Sequence, residues 1–132
     1  DDNALSGSFP VGLGNFTKLT QLFINNNLLT GTLPSGAFEH LGQLTYLKIN
    51  DNLVTGTLPT ELGLLNGTLM GDLLMAHNDL TGFVPSELGL VASLKTLVLH
   101  GNSLITGSLP VSYTHLRAHE TKANLVCRLL LE

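Results

Sequence analysis

The chain reads as an α/β repeat solenoid, built from short stacked strands around one shared apolar core. Two observations predict this. An eight-residue motif recurs along the chain, beginning at Asn3, Asn27, Asn52, Asn78 and Asn102, with steps of 24, 25, 26 and 24 residues. Ahead of each of the last four asparagines, apolar residues recur at minus eight, minus five and minus three: Leu19/Leu22/Ile24, Leu44/Leu47/Ile49, Met70/Leu73/Met75 and Leu94/Leu97/Leu99. Composition agrees. Of 132 residues only 12% are charged, and mean hydropathy is +0.29, too apolar and too weakly charged for a disordered chain.

Each element follows from its residues. The apolar-x-apolar step has the period of a strand with one face inward. The segment after it is rich in Asn, Gly and Pro: Asn27-Leu-Leu-Thr-Gly-Thr-Leu-Pro34, Asn52-Leu-Val-Thr-Gly-Thr-Leu-Pro59 and Asn78-Asp-Leu-Thr-Gly-Phe-Val-Pro85. Such residues turn the chain. A three-residue strand cannot fold alone, whereas stacked copies pair sideways and bury a continuous core. The motif asparagine must point inward, because its amide can satisfy turn backbone groups that apolar side chains cannot. Asn27, Asn52, Asn78 and Asn102 are thus expected to form an internal ladder.

The composite pattern L-x-x-L-x-L-x-x-N-x-L-T-G-x-L-P-x-x-L-G-x-L resembles the plant-type leucine-rich repeat, from Asn3 to Pro110. The stretches Pro59–Leu65 (PTELGLL) and Pro85–Val91 (PSELGLV) carry the match on the segment after the proline. The resemblance implies a right-handed superhelix with a parallel sheet on its concave side. It places 3₁₀ or helical turns on the convex side and adds a second short strand at T-G-x-L-P. About four and a half repeats are present. Extra residues fall near Gly36-Ala37, near Asn66-Gly67 and at Ile105, and are expected in convex loops. The paired-cysteine caps usual in secreted members of this family are missing at both ends. Residues 1–110 alone would then expose Leu94, Leu97, Leu99, Leu104 and Leu109, and such an array is expected to aggregate.

Residues 111–132 break the pattern. Val111-Ser-Tyr-Thr-His-Leu-Arg-Ala-His-Glu120 resembles the translation of a sequencing adapter, GTC TCT TAT ACA CAT CTC CGA GCC CAC GAG. Asn124-Leu-Val-Cys-Arg-Leu-Leu-Leu131 continues it in the same frame after an eight-base index. These 22 residues are expected to be a non-biological tail. His115, Arg117, His119, Lys122 and Cys127 are accordingly set aside. Residues 1–110 hold three Lys against eight Asp and Glu, a net charge of −5.

Several function classes are excluded by composition. The whole chain has a net charge of −4 and an isoelectric point near 5.6, so it offers no basic field for nucleic acid. One Cys and no Trp leave neither a disulfide framework nor a Cys-rich zinc site. No apolar run approaches the roughly 20 residues that span a bilayer. A chain opening at Asp1 without a signal-like leader is expected to be a fragment.

Function is expected on the outward residues between the inward leucines. Numbered back from the motif asparagine, these form columns. Minus six holds Gln21, Tyr46, Asp72 and Thr96, and minus four holds Phe23, Lys48, Leu74 and Val98. Minus two holds Asn25, Asn50, Ala76 and His100, and minus one holds Asn26, Asp51, His77 and Gly101. An exposed aromatic and apolar strip with a few charges suits a protein or peptide ligand. The candidate contacts are Phe23, Tyr46, Lys48, Asp51, Asp72, Leu74, His77, Val98 and His100.

Catalytic readings are weak. His77, His100, Asp51 and Asp72 could in principle converge as a metal or acid–base site, but the two histidines occupy different columns. They are read as solvated, with no metal, cofactor or catalytic residue assigned. No G-x-S-x-G or phosphate loop occurs. Two sequons, Asn15-Phe-Thr17 and Asn66-Gly-Thr68, are expected on the convex side as glycosylation sites. The family resemblance implies an extracellular, non-catalytic recognition module. It would belong to a receptor kinase or receptor-like protein, membrane-anchored elsewhere and acting in signal transduction. The alternatives are a secreted inhibitor or adhesin, or the non-catalytic part of an enzyme whose catalytic domain is missing.

Overall fold

A computed structural model describes residues 3–67 and 71–107. The apolar steps form strands β2 (Gln21–Phe23), β4 (Tyr46–Lys48), β6 (Asp72–Leu74) and β8 (Thr96–Val98). These pair in parallel as one sheet in the order β2-β4-β6-β8. The register aligns Leu22, Leu47, Leu73 and Leu97. The last three are buried, with half-buried Leu22 packed on the core at its N-terminal side. In each strand the centre faces inward and both ends face out, as period two demands.

The segment after each asparagine supplies the second set of strands: β1 (Ser6–Ser8), β3 (Leu28–Thr30), β5 (Thr55–Thr57), β7 (Asp79–Gly82) and β9 (Leu104–Ile105). β1 pairs with β3, and β5, β7 and β9 form a three-stranded parallel sheet. A single parallel bridge between Thr32 and Thr55 links the two groups. On the opposite side of each coil lie 3₁₀ turns at Val11–Asn15, Thr60–Gly67 and Ser86–Leu90, and one α-helical turn, α1 (Ser35–Phe38). Leu13, Phe38, Leu62 and Leu88 point from these turns into the core.

The insertions are absorbed as the spacing suggests, with one difference. The extra residue near Gly36-Ala37 sits in α1, where its repeat makes an α-turn instead of 3₁₀. The longer turn Thr60–Gly67 carries the Asn66-Gly67 insertion. In the last repeat, however, Ile105 is not the surplus residue. It is buried at the inward position held by Leu29, Val54 and Leu80, while Leu104 is 60% exposed. Thr106 N–H donates to Gly82 O at 2.8 Å, as Thr55 N–H donates to Gly31 O at 2.8 Å. The surplus therefore lies before Ile105, and the larger burial goes to the β-branched side chain. In the whole chain Leu94, Leu97 and Leu99 are buried. Leu109 lies outside the described residues, as does all of the expected tail.

The asparagine column ties one coil to the next. Asn27, Asn52, Asn78 and Asn102 are each only 6% exposed. Each Oδ1 accepts a backbone N–H from the preceding coil: Leu5 at 3.1 Å, Leu29 at 3.1 Å, Val54 at 3.0 Å and Leu80 at 3.1 Å. Each Nδ2 donates to the carbonyl three residues back in its own coil, at Ile24, Ile49, Met75 and Leu99. Asn52, Asn78 and Asn102 also donate across to Ile24, Ile49 and Met75, at 3.0, 3.1 and 3.0 Å. One amide thus satisfies buried groups on two coils that no apolar residue could serve.

Candidate functional site: the outward face of the four-stranded sheet

The parallel register turns the minus-six and minus-four columns into two rows across the sheet. Gln21, Tyr46, Asp72 and Thr96 stand side by side, as do Phe23, Lys48, Leu74 and Val98. Phe23 is 36% exposed. Tyr46, Lys48, Asp72, Leu74 and Val98 are half-buried, so each shows one flank to solvent.

At the N-terminal end, three of these side chains touch. The rings of Phe23 and Tyr46 meet edge to face with centroids 6.4 Å apart. Lys48 Nζ lies 4.8 Å from the centre of the Phe23 ring, a cation–π contact worth about 0.5–1 kcal/mol at an exposed site. Tyr46 also leans over Gly71, where an added Cβ would lie 2.7 Å from its Cε1. The glycine thus leaves room for the tyrosine to lie flat. The result is a preformed aromatic platform with a cation over the Phe23 ring. Leu74 and Val98 continue it as an apolar strip, with Asp72 beside Tyr46 in the other row.

The minus-two and minus-one columns behave differently. Ala76 is buried and Asn25, Asn50 and His100 are half-buried. The minus-one residues bend the chain away from the strand. Asn26, Asp51, His77 and Gly101 all have positive φ, at 54°, 57°, 52° and 72°. Left-handed backbone favours Gly and tolerates Asn, Asp and His better than other residues. That set of residue types was a readable signal for a left-handed column. Asp51 Oδ2 accepts from Asn50 Nδ2 at 2.6 Å.

The bend brings together two residues whose columns had suggested separation. The His77 and His100 rings meet at 4.8 Å between centroids, with planes 89° apart. His77 N–H donates to His100 O at 2.9 Å. Among the described residues, no group of three or more His, Cys, Asp and Glu converges as a metal site. Asp51 and Asp72 therefore do not complete one. The sequon asparagines Asn15 and Asn66 are exposed on the 3₁₀ turns, away from the sheet. Asn66 Oδ1 accepts from Ala92 N–H at 3.3 Å. Thr68 of the second sequon lies outside the described residues.

Comparison with known proteins places this architecture. The Leucine Rich Repeat family model matches residues 18–41 and 93–116. Comparison with curated proteins returns no match. Among solved structures, the chain is similar to the ectodomain of the membrane receptor kinase GASSHO1/SCHENGEN3 from Arabidopsis thaliana, in complex with CASPARIAN STRIP INTEGRITY FACTOR 2. Identity is 33% and the TM-score 0.77, covering 84% of this chain and 13% of that one. It is similar to the Arabidopsis receptor kinase HAESA in complex with the peptide hormone IDA and the co-receptor SERK1. There identity is 33% and the TM-score 0.79, over 88% of this chain and 19% of that one. PEPR1 in its AtPEP1 complex gives 34% and 0.78, over 86% of this chain and 15% of that one. The chain is built of leucine-rich repeats and shares the fold of plant receptor-kinase ectodomains. It spans less than a fifth of the length of these three chains.

Proposed function

We infer that the chain is a non-catalytic peptide- or protein-recognition segment of a cell-surface receptor ectodomain, and that the outward face of its four-stranded sheet makes the contact. The observation that carries this reading is the Phe23–Tyr46–Lys48 platform continued by Leu74 and Val98. It is an exposed, preorganised aromatic and apolar surface on rigid strands, and aromatic anchors dominate interface energies. The similarity to HAESA, PEPR1 and GASSHO1/SCHENGEN3 supports it: HAESA is seen with the peptide hormone IDA and the co-receptor SERK1, PEPR1 with AtPEP1, and GASSHO1/SCHENGEN3 with CASPARIAN STRIP INTEGRITY FACTOR 2. A membrane anchor and a kinase domain would belong to the parts of the receptor beyond this segment. Repeats extending to about Pro110, followed by a tail foreign to them, remain the domain division proposed here. Asn15 and Asn66 are proposed glycan positions, on turns where a glycan leaves the sheet open.

The test is face-resolved. Peptides selected from a random library on the immobilised chain are re-measured against Tyr46→Ala, Leu74→Asp and, on the convex turn, Leu64→Asp. Leu64 is 61% exposed, so its substitution leaves the core intact. The expected result is that Tyr46→Ala and Leu74→Asp each weaken the dominant peptides at least tenfold, about 1.4 kcal/mol, while Leu64→Asp leaves them unchanged. Dominant peptides sensitive only to Leu64→Asp would overturn the assignment.

A further inference from the structure

We propose that His77 and His100 form a two-imidazole binding site for a borderline divalent transition-metal ion such as zinc, copper or nickel. His77 occupies a left-handed position, φ 52°, and its N–H is fixed to the His100 carbonyl at 2.9 Å. Two side chains from different columns are thereby held against each other at the edge of the sheet. His77 packs on Gly101, where a Cβ would lie 2.5 Å from Nδ1. The glycine after His100 is thus what admits the ring.

The separation fits shared coordination. Metal–imidazole bonds are about 2.0–2.1 Å, and a ring centre lies roughly 1 Å beyond its nitrogen, so neighbouring ligands of one ion bring ring centres roughly 4.4–5.2 Å apart. The observed centroids are 4.8 Å apart. Imidazole suits zinc, copper and nickel, with copper held most tightly in the usual order. Two features bound the site. Asp51 stands one coil back in the His77 column, and its Oδ2 is engaged by Asn50. No third His, Cys, Asp or Glu joins a described group. The chain therefore supplies two donors, and the other coordination positions stay open to water or to a donor group from another molecule.

The test uses zinc alone and the whole chain. Zinc is titrated while the ring C–H resonances of all five histidines are followed by NMR, with affinity read by calorimetry. His77 and His100 are expected to shift together and saturate with one ion, while His40 does not move with them. His77→Asn and His100→Asn, each keeping a residue type tolerated at its backbone position, are each expected to weaken that step by roughly tenfold or more. Independent shifts of the two rings in the unaltered chain would overturn the proposal, whether or not the variants fold. So would unchanged affinity in both folded variants. The outcome is independent of the peptide-binding experiment, which contains no metal.

Discussion

The amide ladder makes a quantitative prediction at Asn78, which has a complete coil on either side. Its Oδ1 accepts Val54 N–H at 3.0 Å. Its Nδ2 reaches Ile49 O at 3.1 Å, Met75 O at 3.3 Å and Ala76 O at 3.2 Å. Asn78→Ala would orphan one buried N–H and remove a shared donor from three carbonyls. An orphaned buried polar group costs about 1–3 kcal/mol. With the N–H counted fully and the carbonyls partly served by their other partners, the expected loss is about 3 kcal/mol. That is a large fraction of the 5–15 kcal/mol typical of a domain. Asn78→Asp separates the amide's chemistry from its shape. The carboxylate keeps an acceptor for Val54 N–H but turns a second acceptor toward three carbonyls. It should cost at least as much as alanine at neutral pH, and lose part of that cost in acid, where the protonated group can donate once. Urea denaturation followed by circular dichroism measures both, with exposed Asp79→Ala as the neutral control. A loss below about 0.5 kcal/mol for Asn78→Ala, or a mild Asn78→Asp at neutral pH, would show that the amide ladder does not hold the coils together.

Other expectations follow from single contacts. Ile105→Ala should cost about 2–4 kcal/mol as a buried large-to-small change, whereas Leu104→Ser should stay within about 0.5 kcal/mol; the reverse order in thermal melts would put the surplus residue back at Ile105. Gly63→Ala would place a Cβ 2.6 Å from the Glu87 carbonyl oxygen, so overpacking between neighbouring 3₁₀ turns should cost about 1–3 kcal/mol by denaturation. Gly101→Ala combines φ 72° with a clash against His77. It should lower the melting temperature and abolish the coupled zinc response of the two histidines.

Much of the fold was legible because a repeat repeats its errors as well as its rules. Period-two leucines at fixed distance from a motif asparagine define the strand register, and that register defines the outward columns. The same columns correctly set Phe23, Lys48, Leu74 and Val98 in one row. They could not show what depends on backbone bends between columns. His77 and His100 differ by one column, and only the left-handed turn at His77 lets their rings meet. Likewise, the extra residue of the last repeat was ambiguous between Leu104 and Ile105, since both are apolar. Stacking against Leu80 and the Thr106–Gly82 hydrogen bond decide it. The diagonal contact of Phe23 with Tyr46 crosses rows, so pairing alone did not reveal it.

Ligand contact on the outward face of the four-stranded sheet can be mapped segment by segment. The measurement is hydrogen–deuterium exchange of the whole chain with and without a library-selected peptide. Added protection is expected in residues 21–26, 46–51, 72–77 and 96–101 together, spaced by the repeat. Protection confined to the turns Thr60–Gly67 and Ser86–Leu90, with those four segments unchanged, would contradict it.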